Sequence, residues 1–244
     1  MSARITFLGH ASFQLTLPDE RVILIDPWLT DNPACPDHLK KPTRCDLIVL
    51  THGHDDHVGD VGNLIDAHHP KIVGNFDLCG AIQARIGKGD FRSMGTGGTQ
   101  TIDGVRVTLT QAFHSSGLSS PTGPVYAGMP NGVILDVDGL AKVYHAGDTD
   151  VFSDMKLIAR LFAPEIAILP IGDYFTMGAK GAALAVEFLQ PKAIVPCHFG
   201  TFPVLARNAA EFKSELSSDF TSRVVEPKIG EPIAWTADGI GADE

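Results

Sequence analysis

Between residues 52 and 57 the chain reads His52-Gly53-His54-Asp55-Asp56-His57. Three histidines and two aspartates in six positions offer imidazole nitrogens and carboxylate oxygens, the donors that divalent cations take. They follow directly on the apolar run Leu47-Ile48-Val49-Leu50, which reads as a buried strand. Burying so many ionisable groups at a strand end is costly unless a cation pairs them. Metal binding is therefore the chemistry expected here. Further single donors stand where other strand-like runs give way to loops: His114, Asp148 and His198. Taken alone, His114 or His198 reads as a hydrogen-bonded, partly buried histidine, and Asp148 as a turn residue. Taken together, they sit where rigid strands can hold ligands to the tolerance a metal needs.

The elements that must position these groups follow from pattern. Residues 4–8, 12–17 and 22–25 read as short strands, and residues 29–44, with three prolines, as an irregular loop. A helix is expected over 58–68, a strand over 71–73 and a second helix over 76–85. Residues 105–112 alternate with period two, as a strand with one buried face does. A Gly/Ser/Pro-rich loop spans 115–130, and a hairpin joins 132–136 to 142–145 around Asp138-Gly139. Then come a strand at 166–169, a helix at 179–189, a strand at 193–197 and a helix at 208–216. A run of strands followed by alternating strands and helices thus occurs twice. Packed sheet to sheet with helices outside, the two halves form an αββα sandwich.

His52-x-His54-x-Asp56-His57 is the signature of the metallo-β-lactamase superfamily, which the chain resembles over essentially its whole length. The superfamily's later single ligands match His114, Asp148 and His198 in order, and its early strand-end aspartate matches Asp26. Four further segments resemble a subgroup of small metal-dependent hydrolases related to the ascorbate-6-phosphate lactonases. They are Gly9-His10-Ala11-Ser12-Phe13, Tyr144-His145-Ala146-Gly147-Asp148-Thr149, Phe175-Thr176-Met177-Gly178 and Pro196-Cys197-His198-Phe199-Gly200-Thr201.

The resemblance implies a single α/β (α+β) domain over 1–244, a four-layer αββα sandwich of two mixed sheets. It implies two divalent cations, with zinc the default for a His-rich site and manganese or iron also admitted. His52, His54 and His114 would hold one, Asp56, His57 and His198 the other, and Asp148 would bridge them. A hydroxide between the cations would attack a lactone or phosphoester of a small, anionic metabolite, with Asp56 orienting it or taking its proton. Asp26 would brace the ligand loop, and His10 would face the site, although by itself it reads equally as a turn histidine. His145 reads as core, and Cys197, one residue before His198 on a strand, points to the other face and is excluded as a ligand. His38, His68 and His69 read as solvated.

Two segments are expected near the substrate. The loop from Ser115 to Pro130 should wall the pocket with Ser115, Ser116 or Tyr126. Thr176 should cap the helix that follows, with Gly178 in its first turn, so that free backbone N–H groups meet an anionic part of the substrate.

Composition narrows the classes. Lys+Arg 19 against Asp+Glu 29 gives −10, a surface that repels phosphate backbones. That argues against a nuclease of the same fold and against nucleic acid as partner. No apolar window is long enough to span a membrane, and the N-terminus lacks a signal-peptide core. Cys35, Cys45, Cys79 and Cys197 form no C-x-x-C pair. A cytoplasmic protein with reduced thiols, acting on a small molecule, is the expectation, and a homo-oligomer is compatible with it. The rival from another class is a non-catalytic metal-binding or sensor protein, which a complete ligand set disfavours.

Overall fold

The computed structural model describes residues 2–241. In its first half, β1 (Ala3–Gly9), β2 (Ser12–Thr16), β3 (Val22–Ile25) and β4 (Leu47–Val49) precede α1 (Asp55–Val58) and α2 (Val61–His68). They are followed by β5 (Lys71–Asn75), α3 (Phe76–Ile86) and β6 (Asp90–Met94). The second half begins with β7 (Thr99–Ile102), β8 (Val105–Gln111) and a small hairpin, β9 (Gly117–Leu118) and β10 (Val125–Tyr126). It continues through β11 (Asn131–Val137), β12 (Val143–His145), α4 (Met155–Phe162), β13 (Ile166–Pro170), α5 (Ala179–Leu189) and β14 (Ala193–Cys197). Two short helices, α6 (Ala210–Glu215) and α7 (Ser218–Thr221), lead to β15 (Pro232–Thr236) and β16 (Gly239–Gly241).

The strands form an eight-stranded sheet, β16-β15-β1-β2-β3-β4-β5-β6, and a six-stranded sheet, β14-β13-β12-β11-β8-β7. Both are mixed: β3 to β6 and β12 to β14 pair in parallel, the rest antiparallel. Three apolar layers account for the four-layer sandwich. One lies between the sheets and joins Ile5, Phe7 and Phe13 to Val107, Leu109 and Val133. A second packs the first sheet against α2 and α3 through Leu24, Ile48, Leu64 and Leu78. A third packs the second sheet against α4, α5 and α6 through Ile134, Leu169, Ile158, Val186 and Phe212. Strands buried on both faces, such as Val22-Ile23-Leu24-Ile25, are continuous apolar runs because neither face meets water.

Hydrogen bonds tie the sheets together at one end of the sandwich. Asn131 N donates to Thr51 O (2.9 Å), His198 N to His10 O (2.6 Å) and His145 Nε2 to Ala11 O (3.1 Å). His145 thus bridges the two sheets while Gly147 N donates to its Nδ1, so it is a structural residue of the core. At the other end Trp235 Nε1 donates to Ala141 O (2.8 Å).

The pattern missed several elements. β6 and β7 have polar faces and little periodicity, so nothing in 90–102 marks them as strands. α4 went unread although Met155 and Ile158 are its buried stripe. The helix expected over 58–68 is two: α1 begins at Asp55 and ends at Val58, capped by Gly59, and α2 starts afresh after Asp60. The loop 115–130 contains the β9–β10 hairpin. The closing hairpin β15–β16 crosses back to pair with β1, a long-range choice that local pattern does not contain.

Candidate metal centre

All the strand ends that carry donors converge on the edge where the sheets are tied. His52 Nε2 and His54 Nδ1 are 3.0 Å apart and share a group with His114. Asp56, His57, His198 and His10 form a second group. Within each group one donor atom per residue lies within 4.8 Å of the others. Asp148 Oδ2 reaches into both: 3.1 Å from His198 Nε2, 3.4 Å from His57 Nε2, 3.7 Å from His114 Nε2 and 4.0 Å from His52 Nε2. Asp56 and His57 belong to α1, whose first turn swings them across from the strand end that bears His52.

The donor set fits a divalent cation. Among the described residues, His57 Nε2 and Asp148 Oδ1 are buried without a hydrogen-bond partner, and such groups cost free energy unless something pairs them. His52 Nε2 and His54 Nδ1 are near neighbours, and a cation between them satisfies both lone pairs at once.

A second layer fixes which nitrogens face the centre. The buried Asp26 carboxylate accepts from Thr51 N (2.8 Å), Thr51 Oγ1 (2.6 Å) and His57 Nδ1 (2.8 Å). Thr51 spends its one hydroxyl proton on Asp26, so it accepts from His52 Nδ1 at 2.9 Å. Both histidines therefore carry their proton on Nδ1 and turn Nε2 toward the centre, as metal-binding histidines braced by a carboxylate do. Ser12 Oγ donates to Asp26 O (2.6 Å) and accepts from Trp28 N (3.1 Å), pinning the Asp26 turn to the start of β2.

Backbone strain gathers here. His10, Asp26 and His198 all have left-handed backbones, φ 59°, 47° and 58°, a conformation non-glycine residues hold at a cost of about 1 kcal/mol or more each. Gly147 (φ 65°) precedes Asp148, and a Cβ there would stand 2.5 Å from Asn131 O. A Cβ at Gly172 would stand 2.2 Å from His198 O, so only glycine lets the chain after β13 pass His198.

Burial lowers the pKa of His52, His54 and His114 below the usual histidine range and keeps their lone pairs free. Burial also pushes His10 down to about 4, against the pull of Asp56. Neutral His10 then donates from Nε2 to Asp56 Oδ2 at 3.0 Å. Burial opposes the charge on His57, yet Asp148 and Asp26 outweigh it and hold His57 well above its ordinary value, so in the absence of a cation Nε2 carries a second proton, which a bound cation would replace. Burial likewise opposes ionisation of Asp148, and His57 and His198 overcome it. The pocket is thus tuned to accept positive charge.

All seven donors expected from the sequence meet here, with His10 and Asp26 beside them. Thr51 and Ser12 were missed; a hydroxyl residue next to each motif was the available signal. Thr176 and Gly178 need correction. Gly178, not Thr176, is the N-cap of α5, no side chain caps that helix, and Thr176 Oγ1 lies 3.3 Å from Met177 O. A Cβ on Gly178 would lie 2.6 Å from Asp173 Oδ1, so a carboxylate already stands at this helix start. Gly178 lines a cavity with Asp150, Asp173 and Glu211 that includes none of the metal donors. His38 and His69 are exposed, whereas His68 is half-buried and bonds Pro42 O at 2.9 Å. The loop 115–130 does wall the cavity that opens on His54 and His114, with Ser115 Oγ 3.3 Å from His54 Nε2.

Comparison with known proteins agrees with this construction. A family model described as a beta-lactamase superfamily domain matches residues 4–198. A UPF0173 metal-dependent hydrolase of Koribacter versatilis is 46% identical over 86% of this chain and 90% of its own. One of Azorhizobium caulinodans is 43% identical over 93% and 98%. The structure of Igni18, a metallo hydrolase from the archaeon Ignicoccus hospitalis, superposes with a TM-score of 0.82 at 34% identity, covering 95% of this chain and 97% of that one. The chain therefore belongs to the metallo-β-lactamase superfamily and, within it, to the UPF0173 metal-dependent hydrolases.

Proposed function

We propose that the protein is a dinuclear hydrolase that cleaves an ester-like bond, a lactone or a phosphoester, in a small molecule. The observation that carries this reading is that Asp148 Oδ2 lies within 4.0 Å of donors from both groups. His52, His54 and His114 would hold one cation, Asp56, His57 and His198 the other, and Asp148 would serve both. When bound, the cations lower the pKa of water toward neutrality and polarise the bond under attack. Zinc suits the histidines, and the bridging carboxylate also admits manganese or iron.

The chain's own residues do the rest. Asp26 holds His57 and, through Thr51, His52 in the one tautomer that offers Nε2 inward. His10 Nε2–H fixes Asp56, whose carboxylate is aimed at the centre from the first turn of α1. Asp56 is held below the usual carboxylate range: burial opposes ionisation, but the His10 hydrogen bond and His57 prevail. It is therefore an anion that can hold and orient an attacking water. All four cysteines are free and buried, which agrees with action in the reducing cytoplasm.

The test is a screen of bis-p-nitrophenyl phosphate and a lactone panel with protein loaded with Zn²⁺ or Mn²⁺ and with protein stripped by chelator, alongside elemental analysis. Two ions per chain with metal-dependent turnover are expected. One ion per chain at saturation would overturn the dinuclear reading, and two ions without turnover on any ester would favour a sensor.

A further inference from the structure

The cavity beside the metal donors has a chemical character of its own. It is an open cavity of about 750 Å³, and His54 and His114 form part of its wall. Among the described residues, no Lys, Arg, Asp or Glu lines it. Its largest apolar wall residues are Phe113, Val125, Tyr126 and Met129, left 62%, 47%, 68% and 56% exposed. Large apolar side chains grouped in one concavity next to a reactive centre are a mark of ligand recognition.

These side chains are exposed on an anchored support. Leu118 and Ala127, at the two ends of the β9–β10 hairpin, are buried in the core layer that includes α3 Leu78. Ser116 Oγ accepts from Gly53 N (3.1 Å), inside the metal motif, and donates to Ala127 O (3.0 Å). A Cβ on Gly128 (φ 75°) would stand 2.2 Å from Asn75 Oδ1, so the loop lies tight against the start of α3. The apolar wall is thus preformed and held in fixed relation to His54.

We infer that the substrate carries an uncharged apolar group, an acyl chain or an aryl ring, that lies against Phe113, Val125, Tyr126 and Met129 while its scissile bond sits at the His54–His114 edge. This rests on the hydrolase reading above and names the substrate class of that site. A charged group in the cavity would lose hydration with no counterion, whereas each methylene buried there gains affinity. Any anionic part of the substrate belongs at the cations.

Binding of inert metal-directed probes tests this without turnover. With the Zn²⁺-loaded protein, calorimetry is expected to give octanohydroxamate a Kd at least about tenfold tighter than acetohydroxamate, since fully buried methylenes each contribute roughly fourfold. An octanohydroxamate ending in a carboxylate should lose most of that gain. The double variant Tyr126→Ser, Met129→Ser, at exposed positions, should bring the octano-to-aceto ratio near one and leave acetohydroxamate binding unchanged. Equal binding of the two neutral probes by the wild type, or full affinity for the carboxylate-ended one, overturns the inference and leaves the metal reading intact. If neither neutral probe binds the loaded protein, the hydrolase reading falls and the inference with it.

Discussion

The two donor groups of the centre are built differently. The Asp56–His57–His198 group is backed by protein: His57 and His198 are almost wholly buried, Asp26 holds His57, and His10 holds Asp56. The His52–His54–His114 group is backed on one side only. Thr51 braces His52, but His54 and His114 are half-buried and open on the apolar cavity. Ligands fixed by carboxylates and strained backbone bind a cation with little reorganisation, whereas ligands at a cavity wall leave room for a substrate. On the proposed dinuclear reading, the second ion, at the Asp56–His57–His198 group, should be the more tightly held, and the first, at the His52–His54–His114 group, should face the substrate.

The sharpest way to break this division is Asp56→Asn, which removes the charge. Turnover is expected to fall by about 10²–10⁴ with the circular dichroism spectrum unchanged. Full activity at full metal content would remove Asp56 from the mechanism. Next comes Asp26→Asn. Asparagine tolerates φ 47°, so the change isolates the charge. Affinity for the second ion should drop about 10–100-fold, with a smaller loss at the first through Thr51. Equal losses at both sites by competition with a chelator would show that the two groups are not separately braced.

A pH experiment probes His10. Its folded value of about 4 lies below the unfolded 6.5, so between these values the unfolded chain binds more protons. The stability that His10 contributes is whole above about pH 6.5 and falls as pH drops toward 4. Metal-free wild type should lose about 2 kcal/mol more than His10→Gln between about pH 7.5 and pH 5, read from urea midpoints. Parallel losses in both proteins would mean that His10 is not held neutral. The smallest effect is expected at the open group. Ser115→Ala removes one partly exposed contact to His54, so first-site affinity should change by less than about threefold. A tenfold change would place Ser115 among the groups that fix His54.

Much of the centre was legible because it is local. Six consecutive residues after an apolar strand announce a cation by the cost of burying them otherwise, and the alternation of 105–112 and the apolar runs at 22–25 and 193–197 mark the strands that carry single donors. Polar edge strands such as β6 and β7 were not legible, since neither of their faces is strongly apolar. Thr176 misled for a related reason: a hydroxyl residue shortly before a helix run is a reasonable cap, but the first turn began at Gly178 beside the Asp173 carboxylate, and that choice depends on how the segment packs.

By itself the sequence determined the donor types, their placement at strand ends and the two-sheet architecture, because these follow from side-chain chemistry and from hydrophobic periods of two and 3.6 residues. Only the tertiary structure decided which donors lie within reach of one another, that Thr51 and Asp26 set the histidine tautomers, and that the adjoining cavity is apolar. Those properties depend on distances between residues far apart in the chain. Cross-sheet bonds such as His198 N to His10 O and Asn131 N to Thr51 O set those distances, and no local pattern encodes them.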